Sequence, residues 1–342
     1  MAERMRATEI ERLAEAALRA HGARAEAAGS LARAVAAAER DGLASHGLAY
    51  LPTYCEHLDC GKVDGTAEPE LTRPAPSVVA VDARTGFAHP AIDLGLAAVM
   101  PLACAQGVAV LAIRNSYNCG VLGYHTERIA AQGLVGLGFT NAPASIAPWG
   151  ALRPVLGTNP WSLAVPGEGG AAFVIDQSAS VVAKSEVMKR ARAGETLPAG
   201  WALDEAGQPT TDPAAALRGT MMPSGGYKGV GAALLVEVMA ACLTGATPGI
   251  AASPFSGTAG GPPRTGQMFI VFDAAAISGG QFAARLATVA EAFTADAGAH
   301  LPGARRAAAR AAADRDGIAI DGALLARVRG LAHRPVPAAP NP

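Results

Sequence analysis

The sequence lacks the motifs that most often identify a nucleotide-binding enzyme. It has no Gly-x-x-x-x-Gly-Lys-[Ser/Thr] phosphate loop and no His-Glu-x-x-His zinc motif. The segment nearest to a Gly-x-Gly-x-x-Gly fingerprint, residues 229–234, lacks the third glycine, and no clear strand precedes it. A Rossmann dinucleotide-binding fold is therefore not supported.

Cysteines and clusters of like charge are also scarce. The five cysteines are odd in number and scattered, without a Cys-x-x-Cys pair. This argues against a disulfide framework or a zinc ribbon, and for reduced thiols in a cytoplasm. The formal net charge is -1 and no run of five like charges exists, so neither nucleic acid nor an anionic membrane is an expected partner. The histidines are too dispersed to predict a metal site.

No apolar run is long enough to cross a membrane without interruption. The longest such stretch covers residues 94–113, and Pro101 and Gln106 break it. The first twelve residues are charged throughout and lack the apolar segment of a signal peptide. We therefore expect a cytoplasmic protein.

The composition that remains is that of a globular protein. Half of the 342 residues are hydrophobic and 17% are charged, which suits one large domain or two to three moderate ones. Periodicity and turn residues predict alternating helices and strands, an α/β signature. Helices are predicted at residues 8–21, 30–40, 51–58, 91–106, 126–132 and 229–243 (the last one buried), with mostly helix from 274 to 328 and a loop at 194–215. Strands are predicted at residues 77–82, 108–113, 135–140, 161–165, 172–176 and 267–273.

One short segment combines a proton donor with groups that could support it. Of the seven histidines, His46 is the one that directly follows a serine and precedes a glycine. Histidine is a natural proton donor near neutral pH; Ser45 could fix its tautomer, and Gly47 could let a substrate approach closely. The segment also fits a surface histidine after a helix end, so the residues alone leave both interpretations open.

Three polar loops that contain glycine are candidates for binding a phosphate or a carboxylate. They span residues 148–150, 157–160 and 223–229, and each places small residues beside hydrogen-bonding groups. Backbone amides in such loops can meet an anion, and Lys228 adds a positive charge. Each loop alone is more simply a tight turn, but their number favours a binding function.

Taken together, these segments resemble the malate/L-lactate dehydrogenase family of the non-Rossmann type. The resemblance runs from residue 8 to residue 328 and includes Arg-Asp-Gly-x-x-Ser-His-Gly at 40–47, Gly-Thr-Asn-Pro at 157–160 and Gly-Gly-Tyr-Lys-Gly at 225–229. The family also holds sulfolactate, ureidoglycolate and diketogulonate oxidoreductases, and reductases of Δ1-pyrroline-2-carboxylate and Δ1-piperideine-2-carboxylate. The motifs are specific for the family and not for one substrate.

The resemblance implies an α/β fold with a non-Rossmann cofactor domain. The cofactor would lie on a large, mostly antiparallel sheet, and a helical domain would be built from both chain ends. The implied parts are an N-terminal helical segment (1–73), a cofactor- and substrate-binding domain (74–284), a C-terminal helical segment packed on the first one (285–330) and a disordered tail (331–342). Family members form homodimers, and we expect one here.

The resemblance also assigns roles to residues. Ser45, His46 and Glu186 form the implied catalytic relay, with His46 as general acid or base. Glu186 could instead be an exposed helix charge next to Lys184, Lys189 and Arg190, and at least one of Arg305 and Arg306 could belong to a solvated basic patch. The implied cofactor-binding residues are Asn118, Cys119, Gly120, Val121, Leu122, Ile175, Asp176, Gln177, Tyr227, Lys228, Leu301, Pro302, Gly303, Arg305 and Arg306.

Two departures from the family pattern concern the substrate and the cofactor. Tyr50 stands where many members carry an arginine that holds the substrate carboxylate, so Arg153, Lys184 or Thr158 could replace that clamp. The implied substrate-binding residues are Tyr50, Thr158 and Lys184. Asn118-Cys119 replaces a His-Phe pair, which leaves the choice between NADH and NADPH open.

The resemblance implies an NAD(P)-dependent oxidoreductase that interconverts a small 2-oxo acid and its 2-hydroxy acid. An alternative is reduction of a cyclic imine-2-carboxylate to proline or pipecolate, which the Arg-Asp-Gly start and Glu186 favour. A third hypothesis, of another class, is a non-catalytic binding protein on the same scaffold. The expected partners are a small carboxylate substrate and a second copy of the chain, with no metal, nucleic acid or membrane.

Overall fold

The computed structural model describes residues 2–334. Within them the helices are α1 (Ala7–Ala20), α2 (Ala25–Arg40), α3 (Leu51–Asp59), α4 (Ala88–Gln106), α5 (Leu122–Ala130), α6 (Lys184–Ala193), α7 (Pro213–Arg218), α8 (Tyr227–Glu237), α9 (Ala274–Ile277), α10 (Phe282–Phe293), α11 (Ala304–Asp316) and α12 (Gly322–Ala332). A 3₁₀ turn covers Ala44–His46, and a π-helical turn, Val238–Cys242, continues α8.

The strands of the described chain are β1 (Glu3–Met5), β2 (Glu70–Ala75), β3 (Val78–Asp82), β4 (Val108–Ser116), β5 (Val135–Thr140), β6 (Trp161–Gly167), β7 (Gly170–Gln177), β8 (Ala202–Leu203), β9 (Pro209–Thr210), β10 (Thr220–Met221), β11 (Thr265–Phe272) and β12 (Ile318–Ile320). Seven of them form one sheet in the order β2-β3-β4-β11-β5-β6-β7. In this sheet β3 and β4 are parallel and the other neighbouring pairs are antiparallel. The predicted large, mostly antiparallel sheet is therefore confirmed, and it explains why a fingerprint of parallel Rossmann sheets is missing.

Helices cover both faces of the seven-stranded sheet. Helices α4 and α5 cover one face in a core that includes Ile92, Leu96, Leu111, Ile129 and Phe269. Helix α8 and its π-helical turn cover the other face in a core that includes Phe139, Val236, Ala240 and Met268. Helix α4 has the length and apolar composition of a membrane span, but its buried face packs on the sheet as a core helix.

A helical domain is built from both chain ends, as predicted. Ile10, Leu18 and Leu31 of α1 and α2 share one core with Leu325 and Val328 of α12. Strand β1 pairs with β12 in a small antiparallel sheet, which ties the two ends together. The domain boundaries themselves stay a prediction.

Several predicted elements differ from the observed ones. The second helix begins at Ala25 instead of residue 30, and the segment 194–215, predicted as loop, contains β8, β9 and the start of α7. Strand β12 lies in a region predicted as helix. Helix α12 reaches Ala332, past the predicted start of the tail, and residues 335–342 of that tail lie outside the described residues.

Candidate active site

A cavity of about 330 Å³ opens between the helical domain and the sheet. Its lining combines His46 and Tyr50 from the first 60 residues, the loop at Asn118, the loop at Thr158 and Lys184 at the start of α6. All three residues predicted to bind substrate, Tyr50, Thr158 and Lys184, therefore line one cavity together with His46. Pockets of this size accept a small molecule and its immediate binding groups.

The local chain path brings His46 to this cavity. Helix α2 ends at Arg40, and the Asp41 carboxylate there receives two hydrogen bonds from Arg310 of α11, at 2.8 and 2.9 Å. The 3₁₀ turn that follows places Ser45 Oγ 3.1 Å from His46 Nδ1. Because Nδ1 is engaged by the hydroxyl, Nε2 is the ring nitrogen left to meet a substrate.

The surroundings of His46 lower its pKa below the ordinary value of 6.5. Burial is the largest cause, since it disfavours the charged ring; the charge of Asp176 opposes it, and that of Arg306 adds to it. Burial therefore favours the neutral ring, and Asp176 is the carboxylate that favours its protonation.

The expectation for Gly47 is wrong. Gly47 does not leave room for a substrate, because a Cβ atom at this position would lie 2.3 Å from Oε1 of Glu39. The Glu39 carboxylate is buried, with 6% of the residue exposed, and accepts a 2.7 Å hydrogen bond from the Leu48 amide. Burial raises the pKa of Glu39. Gly47 thus lets the turn that carries His46 pack on α2.

Among residues 2–334, Lys184 is the one cationic side chain of the cavity lining, beside the titratable ring of His46. It makes no hydrogen bond or ion pair with any residue from 2 to 334, and burial lowers its pKa below 10.5. Within the described part of the chain, no Asp or Glu belongs to the lining. A partly buried ammonium group without a counter-ion favours an anionic ligand.

The structure does not bring Glu186 into hydrogen-bond contact with the other two members of the relay that the resemblance implies. Its carboxylate faces two cations of its own helix, Lys189 at 3.6 Å and Arg190 at 3.4 Å, and has no hydrogen bond to Ser45 or His46. Residues of an α-helix follow each other at about 100°, so Glu186 points roughly away from the cavity that Lys184 lines. The alternative interpretation, a charge on the helix surface, fits its position.

Tyr50 lines the cavity, but its hydroxyl is engaged in a hydrogen bond within the protein. The hydroxyl donates a 3.0 Å hydrogen bond to the carbonyl of Phe255, in the loop that closes one side of the cavity. Burial raises the pKa of Tyr50 to about 12, so the phenol stays neutral. Tyr50 therefore holds a wall of the cavity and does not replace the charge of an arginine.

Three separate segments with predicted cofactor residues meet at Asp176 of β7. One Asp176 oxygen, Oδ2, accepts hydrogen bonds from the Gly123 amide at 2.9 Å and from Arg306 at 3.0 Å. The Val174 amide donates to the carbonyl of Pro302 at 3.3 Å. A second, smaller cavity of about 170 Å³ lies here, lined by Phe173, Val174, Leu301, Pro302, Gly303 and Arg306 among others. Asn118, Cys119 and Gly120 line the first cavity.

The other predicted cofactor residues are not brought into either cavity. Tyr227 is 63% exposed, Lys228 and Arg305 are also exposed, and Leu122 points into the core beside the sheet. Arg153, one of the candidates for the carboxylate clamp, is exposed and lies outside the cavity lining.

Buried polar groups that the sequence did not predict hold the cavity walls. Glu237, noted in the sequence only as part of a buried helix, accepts hydrogen bonds from the Gly249 amide at 2.6 Å and from Asn159 at 2.7 Å. Lys62 is 1% exposed and donates to the carbonyls of Pro254 and Gly257 at 2.7 and 3.0 Å. A single acid, Glu237, inside an apolar helix could have indicated a buried polar contact. The sequence around Lys62, in contrast, contains no pattern that predicts its partners about 190 residues further along the chain.

The cleft thus brings together a histidine, a lysine without a counter-ion among residues 2–334 and a glycine-containing loop at the edge of a non-Rossmann sheet. The sequence profile of the family described as malate/L-lactate dehydrogenase matches residues 5–329. The chain belongs to this family, and it is an enzyme of the dehydrogenase/reductase class.

Individual relatives agree with this assignment. The chain is 46% identical to (2R)-3-sulfolactate dehydrogenase (NADP(+)) of Chromohalobacter salexigens, covering 88% of this chain and 90% of the relative. It is 37% identical to Delta(1)-pyrroline-2-carboxylate reductase of Ancylobacter novellus, covering 97% and 98%. Among solved structures, delta1-piperideine-2-carboxylate reductase from Pseudomonas syringae superposes with a TM-score of 0.91 at 36% identity, covering 96% and 99%. The predicted dependence on NAD(P) is confirmed at this level, without a choice between the two cofactors.

Proposed function

We propose that the chain is an NAD(P)-dependent dehydrogenase that interconverts a small 2-oxo acid and its 2-hydroxy acid. The observation that carries this proposal is the cavity itself, in which His46 and an unpaired Lys184 occur together and no carboxylate lines the wall. The lysine supplies a partner for the substrate carboxylate, and the histidine supplies or accepts the proton at the substrate oxygen.

In the reducing direction the carbonyl carbon gains a hydride and the carbonyl oxygen gains a proton. His46 Nε2 donates that proton and takes it back in the oxidation, while Ser45 at Nδ1 keeps the ring oriented. Asp176 favours the protonated ring electrostatically. The proposed catalytic pair is therefore Ser45 and His46, and Asp176 has the supporting role that the family resemblance implies for Glu186.

The residues around Asp176 fit a dinucleotide. A Cβ atom at Gly123 would lie 2.7 Å from both Asp176 Oδ2 and Arg306 Nη1, so a larger residue here would displace these two side chains. Asn118, Gly120, Asp176 and the segment 301–306 would hold the cofactor, which supplies or accepts the hydride when bound. NADP(H) is the cofactor named for the sulfolactate dehydrogenase relative, and Arg306 and the exposed Arg305 are suitable partners for an additional phosphate.

The second candidate substrate is a cyclic imine-2-carboxylate, which the names of two relatives support. Its nitrogen becomes a cation when protonated, and a carboxylate in the wall would stabilise that cation. The cavity lining contains none. This favours a neutral carbonyl substrate over a protonated imine.

Two further features belong to the proposal. A homodimer is supported by an apolar surface on α8 and beyond, formed by Leu234, Leu235, Val238, Leu243 and Ile250, which are 42–61% exposed.

A cytoplasmic location is supported by five free cysteines within the described residues. The proposed substrate is a small carboxylate. Nucleic acid, a membrane and a metal ion are not part of the proposal.

A substrate panel tests the proposal. Oxidation of NADH and of NADPH is followed by absorbance with pyruvate, oxaloacetate, sulfopyruvate, pyrroline-2-carboxylate and piperideine-2-carboxylate. We expect the highest kcat/KM with one of the three 2-oxo acids. A higher kcat/KM with a cyclic imine would contradict the 2-oxo acid dehydrogenase and favour the imine reductase. Absence of turnover together with absence of calorimetric NADH and NADPH binding would favour the non-catalytic binding protein.

A further inference from the structure

Ser145 carries a buried hydroxyl without a partner in the wall of the cavity. The residue is 3% exposed, and its Oγ makes no hydrogen bond with any residue from 2 to 334. It also belongs to the cavity lining. A buried hydroxyl that leaves water without gaining a partner costs free energy, so such groups are normally satisfied.

The backbone around Ser145 is fixed on both sides. The Ser145 amide donates to the carbonyl of Leu156 at 2.8 Å, and its carbonyl accepts from the Met221 amide at 2.8 Å. Its neighbour Ile146 forms a bridge with Leu156. Because both backbone groups are engaged, rotation of the side chain is the freedom that Ser145 retains, and this rotation points the hydroxyl at different parts of the cavity.

Ser145 belongs to the same wall as Lys184. Met221 binds the Ser145 carbonyl, and the next residue, Met222, accepts a 2.9 Å hydrogen bond from Val181, three residues before Lys184. Thr158 joins this wall through its carbonyl, which accepts from the Ala179 amide at 2.8 Å. An unpartnered donor and an unpaired cation thus line one wall from which carboxylates are absent.

We infer that Ser145 is a substrate-binding residue that donates a hydrogen bond to the anionic head group held by Lys184. This inference rests on the proposed function and names a further determinant of its specificity. The ligand chemistry is a carboxylate or a similar oxyanion, because an oxyanion accepts from a hydroxyl and from an ammonium group at the same time. A hydrogen bond to a charged group changes affinity by about tenfold or more.

The test compares two substitutions, Ser145→Ala and Ser145→Cys, in the full-length enzyme. Steady-state kinetics use the 2-oxo acid that the wild type reduces best, and calorimetry uses oxalate with saturating cofactor as a non-reacting oxyanion. We expect both variants to raise KM and the oxalate dissociation constant about tenfold or more, while kcat changes less than threefold. Alanine is smaller than serine, whereas cysteine is somewhat larger and only a weak donor, so equal losses in both variants identify the hydrogen bond as the cause.

Thermal unfolding of the ligand-free variants separates binding from structure. Ser145→Ala should not lower the midpoint, because the hydroxyl has no partner to lose. Ser30→Ala is the matched control: Ser30 is also buried, but its hydroxyl donates to Asp93 at 2.5 Å, so its loss should lower the midpoint.

The outcomes are distinguishable. An active wild type with unchanged KM and oxalate affinity in Ser145→Ala would overturn the inference and leave the proposed function intact. Unchanged affinity in Ser145→Cys alone, or a loss of stability in Ser145→Ala as large as in Ser30→Ala, would also overturn it. A wild type that neither turns over a 2-oxo acid nor binds oxalate would instead overturn the proposed function, and the inference with it.

Discussion

At the scale of the residue, the proposed function makes Lys184 the group that determines which charge the cavity accepts. Replacing it by methionine keeps most of its volume and removes the cation. We expect Lys184→Met to raise KM for the best 2-oxo acid by about 10- to 100-fold, since a charged hydrogen bond contributes about 1.5–3 kcal/mol. Lys189→Met, on the exposed side of the same helix, is the control. Steady-state kinetics check this, and equal KM values in both variants would remove Lys184 from the site.

The pH dependence of binding follows from the same residue. Burial lowers the pKa of Lys184 below 10.5, so its charge is lost at lower pH than in an exposed lysine. Substrate affinity should be constant near neutral pH and fall as the pH rises through this lowered pKa. Lys184→Arg should keep the charge and remove the fall in substrate affinity at alkaline pH, because arginine stays protonated.

Substitutions of Glu186 and Asp176 are expected to affect the pH profile of the reduction rate differently. Glu186 faces Lys189 and Arg190, so Glu186→Gln should leave the pH profile of reduction unshifted. Asp176 raises the pKa of His46, so Asp176→Asn should move the profile to lower pH, because protonation of His46 then needs more acid. A shift in the Glu186→Gln profile would restore the relay that the sequence suggested.

The structure brings some of the predicted site residues together and keeps others apart, for a physical reason. Ser45 and His46 are adjacent in the chain, and their contact is local, so the motif predicts it. Glu186 was assigned by a short offset along the chain, but the offset does not decide which side of α6 faces the cavity. Ser145 is joined to Lys184 through Met221 and Met222, and such long-range neighbours leave no pattern in one sequence.

At the scale of the element, Glu237 connects α8 to two loops of the cavity wall. Its two oxygens accept from the Gly249 amide and from Asn159. Glu237→Gln keeps the shape, but the amide group offers one acceptor where two donors converge. We expect a loss of about 1–3 kcal/mol in the free energy of unfolding, together with a higher KM. Chemical denaturation measures the first effect.

The control for this substitution is Glu205→Gln. Glu205 pairs with Arg218 at 3.1 Å on the exposed surface, where such pairs contribute little. Its denaturation midpoint should match the wild type. Equal midpoints in the two variants would contradict the role of Glu237 as a wall anchor.

Elements with a strong local pattern were predicted, and those that depend on distant partners were not. Helix α1 repeats Ile10, Ala14 and Leu18 on one buried face, which the sequence reveals. Strands β1 and β12 have three residues each and exist because they pair with one another across the chain. The apolar composition of residues 229–243 predicts a buried helix, but Leu234 and Leu235 of α8 are exposed.

At the scale of the whole molecule, the exposed apolar surface of α8 predicts how copies assemble. A charge placed on this surface should oppose the burial of a matching surface on a second copy. We expect the wild type to sediment as a dimer and Leu234→Glu to shift it toward the monomer. Ile277→Glu, at an exposed apolar position of α9, is the control and should remain dimeric. A monomeric wild type in sedimentation equilibrium would remove the dimer from the proposal.

The central claim is that His46 transfers the proton in a hydride-transfer reaction, and the turnover of His46→Asn tests it most directly. The measurement is kcat with the best 2-oxo acid at saturating cofactor, beside the dissociation constant of the cofactor. A general acid contributes about 10²- to 10⁴-fold, so kcat should fall by that factor while cofactor affinity stays nearly unchanged. If His46→Asn keeps more than about a third of wild-type turnover, with the chemical step shown to limit the rate, His46 is not the proton donor.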